Sequence, residues 1–206
     1  MRRLSLFAAF IAGALLSLPS ALRAQGSESR YNKELVFPLY MKNVSLGASP
    51  VILHGFMLRG RDAAGLSVTL PPVHFMFEQC FWDMGNAGSL GWGVFVSYGK
   101  YKYSYAGSNG YGGNVVNVRA GMLQPLAGLS YHYTIRTRLE VYARMMLGFS
   151  ATGFRSDRAG DIADWDSQFI WNGVAGVRWF FSNSFGVYAE GGHTSGLINA
   201  GITYRW

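Results

Sequence analysis

The sequence predicts an all-β fold: an eight-stranded antiparallel transmembrane up-and-down β-barrel, with short turns at one end and longer loops at the other. Three observations predict it. The last residues, Leu197 to Trp206, alternate: Ile198, Ala200, Ile202, Tyr204 and Trp206 share one parity, and Asn199, Gly201, Thr203 and Arg205 share the other. Successive side chains of a strand point to opposite faces, so this is a strand with one apolar and one polar face, about as long as a tilted bilayer crossing requires. The composition agrees: 14% of the 206 residues are charged and 16% aromatic, with 27 glycines, where an ordinary soluble domain carries about 25% charge. The start of the chain also agrees. Met1-Arg2-Arg3 is basic, Leu4 to Leu18 is apolar or small, and Ala21-Leu22-Arg23-Ala24 offers a cleavage site after Ala24, which is the pattern of a secretory signal peptide. Residues 1–24 are therefore expected to be a cleaved leader, residues 25–45 an N-terminal periplasmic segment, and residues 46–206 the barrel.

Each strand follows from a period of two. Leu46 to Leu58 is the weakest, interrupted by Pro50, and Val73 to Trp82 follows two prolines. Leu90 to Tyr98 sets Leu90, Trp92, Val94, Val96 and Tyr98 on one face, with glycines, Phe95 and Ser97 on the other. Asn114 to Ile135 contains Pro125, where a kink is expected, so Leu126 to Ile135 is taken as its spanning part. Leu139 to Phe149 separates an apolar row (Leu139, Val141, Ala143, Met145, Leu147, Phe149) from Glu140, Tyr142, Arg144, Met146 and Gly148. Gln168 to Phe181 repeats the pattern, and Phe185 to Gly192 and Leu197 to Trp206 complete the set. The connections Asp83 to Ser89, Arg136 to Arg138 and Ser182 to Ser184 are short, and Arg59 to Pro72, Gly99 to Gly113 and Ser150 to Ser167 are longer. Short periplasmic turns and longer outer loops are the asymmetry of outer-membrane barrels. Gly191 to Gly196 is an unusually tight outer loop.

Parity does not say which row faces inward, since a soluble lipocalin-like barrel would turn the apolar rows inside. Aromatic residues near the strand ends (Trp92, Tyr98, Trp171, Trp179, Tyr204, Trp206) and glycine-rich opposite rows favour lipid outside. The polar rows then converge in the lumen, and Glu78, Glu140, Arg144, Arg178, Glu190 and Arg205 are expected to meet there with His132 nearby. Charges enclosed in so narrow a barrel must pair, so an interior salt-bridge network that plugs the lumen is expected. A narrow polar pore or transport channel is the alternative.

Several segments resemble a known family. They are Pro71-Pro72-Val73 leading to Phe77-Glu78, Gly91-Trp92-Gly93 leading to Tyr98-Gly99-Lys100-Tyr101, Gly128-Leu129-Ser130-Tyr131-His132-Tyr133, and Leu139-Glu140-Val141-Tyr142-Ala143 with Gly148. Phe185-Gly186-Val187-Tyr188-Ala189-Glu190 and Gly201-Ile202-Thr203-Tyr204-Arg205-Trp206 follow. In order and spacing they resemble the small eight-stranded outer-membrane barrels of the Bacteroidetes type, distant kin of OmpA and OmpX. The resemblance implies a fold and an address, the outer membrane of a Gram-negative bacterium, in a family most of whose members have no defined activity; a non-enzymatic structural or surface-interaction role is the leading expectation. It also implies that Tyr204 and Trp206 form the signal read by the barrel-assembly machinery during insertion into outer-membrane lipid.

His193-Thr194-Ser195 resembles the His and Ser, two apart, of the lipid A deacylases, which are also outer-membrane barrels. That chemistry needs an acid to orient the histidine. The last strand has none, and Glu190 has the wrong parity, so a membrane hydrolase is a second alternative and no catalytic residue is assigned. Asp157, Asp161, Asp164 and Asp166 are too irregularly spaced for a calcium loop, and Trp165 among them is a candidate contact for an external ligand through the outer loop. No cofactor or metal motif is present. The formal charge of +7, less the three leader arginines, leaves +4 on the mature chain, which gives no argument for nucleic acid. The lone Cys80 excludes an intramolecular disulfide.

Overall fold

A computed structural model describes residues 36–51, 64–106, 115–156, 164–193 and 196–206. The leader, His54, Asp157, Asp161, Thr194 and Ser195 lie outside the described residues. Eight strands close into one barrel in chain order: β1 (Lys42–Val51), β2 (Ala64–Asp83), β3 (Ser89–Ala106), β4 (Val115–Arg136), β5 (Leu139–Ser156), β6 (Asp164–Phe180), β7 (Phe185–His193) and β8 (Ile198–Arg205). Every neighbouring pair is antiparallel, and β1 closes on β8.

The alternation read from the sequence sorts the side chains as expected for a barrel in lipid. Leu129, Met145, Leu147, Trp171, Val177 and Ile202 point outward and are exposed. Glu78, Glu140, Arg144, Arg178 and Glu190 are buried. Burying ionic side chains while exposing the large apolar ones reverses the arrangement of a water-soluble barrel, and it is what a hydrocarbon surround demands. Around the turn end, Trp82, Trp179, Phe181, Phe185, Tyr204 and Trp206 form an exposed aromatic girdle. Tyr204 lies between Phe185 and Trp206, with ring centroids 4.8 and 5.6 Å away.

Two sequence expectations are corrected. Pro125 does not divide its segment: β4 runs unbroken through it, with Pro125 opposite Val96 in a register that holds over the whole length of β3. Pro71 and Pro72 likewise lie inside β2, where the register with β3 shifts between Leu70 and Val73; an irregularity is where a sheet tolerates a residue without an N–H. The strands from β2 to β6 consequently extend well beyond the bilayer-length pieces legible in the pattern, whereas β7 and β8 have 9 and 8 residues. The first strand begins at Lys42, ahead of Leu46.

The turns are built locally. Between β2 and β3, Asp83 Oδ1 accepts the Gly85 N–H at 2.7 Å, and Gly85 (φ 62°) and Gly88 (φ 107°) adopt left-handed backbone that side-chain-bearing residues disfavour. Thr137–Arg138 and Phe181–Ser184 make the other short turns. The β1–β8 seam closes through paired bonds between Lys42 and Trp206, N to O at 3.0 and 3.1 Å. Inside the seam Thr203 Oγ1 donates to Asn43 Oδ1 at 2.5 Å, Ser45 Oγ donates to Thr203 Oγ1 at 2.9 Å, and Ser49 donates to Asn199. Gly47 lies opposite Gly201 in this seam, and a Cβ at either would strike the Tyr188 side chain; the absence of both side chains makes room for that ring.

Candidate functional site

The lumen is stratified. Its middle is ionic. Arg178, from β6, reaches two strands: Nη2 donates to Glu78 Oε2 at 2.7 Å and Nη1 to Glu140 Oε1 at 2.5 Å. Arg144, from β5, donates through Nη2 to both oxygens of Glu190, each at 2.6 Å, and its Nη1 lies 4.0 Å from Glu78 Oε1. Tyr142 Oη and Asn199 Nδ2 complete the shell of Glu190 at 2.8 and 2.9 Å. The guanidinium carbon of Arg178 sits 4.7 Å from the centroid of the Tyr142 ring. His132 Nδ1 is 3.3 Å from Glu140 Oε1, and its Nε2 is 2.9 Å from Ser130 Oγ and 3.8 Å from Glu78 Oε1. Beside the belt, His74 hydrogen-bonds the Tyr188 hydroxyl and stacks on Phe95 with centroids 5.2 Å apart.

Five of the six interior residues expected from parity therefore converge. Arg205 does not join them. It shares the inward row but lies at the turn-side mouth, where Nη1 donates to Val36 O at 2.6 Å, Nε donates to Asn183 O at 2.7 Å, and the guanidinium covers the Phe180 ring at 4.1 Å. The position beside Glu78 and Glu140 in the belt is taken instead by His132. Parity assigns a face and says nothing about height along the axis, so it does not separate Arg205 from the belt residues.

Both ends of the belt are apolar. Toward the loops, Met76, Phe95, Leu126 and Met146 form a buried cluster with Ile170 packed against it. Toward the turns, the chain ahead of β1 folds into the mouth. Val36 and Phe37 are 1% and 2% exposed, so both are fully inside the mouth. The Phe37 ring stacks on His132 with centroids 4.0 Å apart, and the Val36 N–H donates to Thr134 Oγ1 at 3.0 Å. The sequence reading missed this plug, because Val36-Phe37-Pro38-Leu39 precedes the first alternating run. A short apolar run next to the first strand was its one signal.

The remaining candidates are dispersed. His193 stacks on Trp171 with centroids 4.8 Å apart, and its Nδ1 lies 3.1 Å from Trp171 O. Glu190 is inside the barrel, engaged by Arg144 and Tyr142, so it is not placed to orient His193. Trp165 belongs to β6, opposite Gly153, rather than to a loop; its side chain lies outside the described part. No grouping of His, Cys, Asp and Glu suited to a metal ion occurs among the described residues.

No family model and no curated protein matches the chain. Solved structures similar to it include Ail, the attachment invasion locus protein of Yersinia pestis, in complex with the heparin analogue sucrose octasulfate; identity is 13% over 82% of this chain and 100% of that one, at a TM-score of 0.44. OprG from Pseudomonas aeruginosa is 10% identical over 84% of this chain and 99% of that one, at a TM-score of 0.44. The N-terminal β-barrel domain of Pseudomonas aeruginosa OprF is 11% identical over 81% and 96%, at a TM-score of 0.34. The architecture is that of the small eight-stranded outer-membrane barrels, and the closed strand order with its outward apolar surface establishes this independently of those likenesses.

Proposed function

We propose that the chain is an integral outer-membrane protein with a closed lumen, acting as a structural or surface-interaction barrel rather than as a conduit. The observation that carries this reading is the sandwich along the axis: a buried ionic belt between the Met76–Phe95–Leu126–Met146 cluster and the Val36–Phe37 plug. An eight-stranded barrel is about wide enough for its side chains to fill. A hydrated solute crossing it would have to displace both apolar layers and break the Arg178 and Arg144 ion pairs. Insertion by the barrel-assembly machinery through Tyr204 and Trp206, and removal of the leader after Ala24, belong to the same proposal.

Single-channel recording on the refolded mature chain in planar bilayers tests it. No discrete conductance steps are expected, and reproducible ohmic steps would overturn the closed-lumen reading in favour of a narrow channel.

A further inference from the structure

The loop-side lumen holds a polar row that the ionic belt does not use. Cross-strand pairing sets His74 of β2 opposite Ser97 of β3, and Ser97 opposite Gln124 of β4. Gln124 Nε2 donates to Ser150 Oγ of β5 at 3.4 Å, and Ser150 pairs with Gln168 of β6. Five neighbouring strands thus each give the row one polar side chain, and no aspartate, glutamate, lysine or arginine belongs to it. On β2, β3 and β4 the row stands two residues toward the loops from Met76, Phe95 and Leu126 of the apolar cluster, or about 7 Å along the strand at about 3.3 Å per residue.

Three consecutive members of the row carry an unanswered polar atom. His74, Ser97 and Gln124 are 2%, 0% and 6% exposed, and His74 Nδ1, Ser97 Oγ and Gln124 Oε1 have no hydrogen-bond partner among the described residues. His74 Nε2 is engaged by the Tyr188 hydroxyl, and Gln124 Nε2 by Ser150 and Met122, so the ring and the amide are each tied on one side and unpaired on the other. A fourth group joins them from the loop side. Tyr101 Oη, buried and also unpaired, lies 2.9 Å from where a Cβ of Gly99 would stand, and Gly99 is the next inward residue after Ser97. Native interiors satisfy buried polar groups, and four in one patch call for a common partner. The backbone gives a second reason. Pro125, beside Gln124, has no N–H to donate, and the β4–β5 pairing is interrupted between Leu123–Ala151 and Leu126–Gly148. The β2–β3 register shifts between Leu70 and Val73, next to His74. Two of the ladders that the row crosses are therefore irregular beside it.

We propose that His74, Ser97, Tyr101 and Gln124 bind an internal cluster of water, supplied from the loop side and stopped by the Met76–Phe95–Leu126–Met146 layer. The chemistry selects water over a larger ligand. The free atoms include an amide acceptor and hydroxyls that both donate and accept, which suits a neutral molecule with both capacities. Their enclosure leaves room for the smallest such molecule, and a buried water makes about three hydrogen bonds. The supply route is the β6 end of the row, where Gln168 is exposed and stands beyond the last β6–β7 pair, Gly173 with His193. The water bridges β2, β3 and β4 at the height where prolines disturb the sheet, so the lumen is wet on the loop side of the apolar layer and dry in the belt. The inference does not need the lumen to be closed: a conducting barrel would hold this water too, and conductance recording reads closure separately.

The test is a high-resolution crystal structure of the full mature chain, refolded in detergent, beside that of the S97A/Q124L double variant. In the wild-type chain, ordered water is expected within hydrogen-bond distance of at least two of His74 Nδ1, Ser97 Oγ and Gln124 Oε1. The variant is expected to lose it, with an unchanged heat-modifiability shift as evidence of folding. Should the variant not refold, water-to-protein magnetisation transfer by NMR on the wild-type chain gives the same answer, with transfer expected to the side-chain protons of Ser97 and Gln124. A map in which these atoms pair with one another or touch no water would overturn the proposal, as would water unchanged in the double variant or transfer confined to exposed groups such as Gln168. An organic molecule seated in the row would reassign the site to a larger ligand and overturn the water assignment.

Discussion

The same side chain is used in two opposite ways in this barrel. Arg144 and Arg178 are held in the lumen by three carboxylates, with bonds of 2.5 to 2.7 Å and aromatic rings against their guanidinium planes. Arg119 and Arg155 stand on the outer wall, exposed, with another cation or each other as cross-strand neighbours. An ion removed from water must have its charge and its donors answered locally, so the inner pair is tied to the stability of the fold. An exposed charge retains its hydration and contributes little to stability. The difference teaches that in a membrane barrel the role of an arginine follows from its parity and its height on the strand.

Breaking the inner half of the comparison should have the largest effect. Arg178→Ala leaves Glu78 and Glu140 without their common partner in a dry layer, and a loss of about 3–5 kcal/mol is expected. Urea unfolding of the detergent-refolded chain, followed by the heat-modifiability shift, checks it; an unchanged midpoint would show that the belt is hydrated enough to do without the pair. Next is the plug. Phe37→Ala removes a buried ring that stacks on His132, and about 3 kcal/mol should be lost in the same assay. If the midpoint holds, the segment ahead of β1 lies against the barrel without contributing to it. Asn199→Ala removes a bond to Glu190 and the acceptor of Ser49 and should cost about 1–2 kcal/mol. The smallest effect belongs to the outer wall: Arg155→Gln should alter stability by no more than about 0.5 kcal/mol. A larger drop would mean that the contacts of Arg155 matter to the fold, and the contrast between inner and outer arginines would weaken.

Much of this was legible from alternation. The rows around Glu140, Arg144, Arg178 and Glu190 could be assigned to one face because side-chain direction in a strand has a period of two. Their grouping with Glu78 followed from the narrowness of the barrel. Height was not legible: nothing in the spacing of Arg205 distinguishes a belt residue from one that grips Val36 at the mouth. Nor was strand length, because Pro125 and the Pro71-Pro72 pair read as breaks and the sheet accommodates them. Phe37 was hidden for a different reason, since a plug has no periodicity of its own. The outer cationic row needed the register of three strands, which fixes Lys102, Arg119 and Arg155 as neighbours although they are far apart in the chain.

The central claim is that the lumen is sealed around its ionic belt. Cys80, the one cysteine of the chain, lies on the same inward row as Glu78 and is fully buried between the belt and the plug side. Its reactivity toward a charged, water-soluble maleimide therefore reports directly on access from the turn-side mouth. The folded chain in detergent should remain unlabelled over hours and react at once when unfolded in urea. Rapid labelling of the folded barrel would contradict the account.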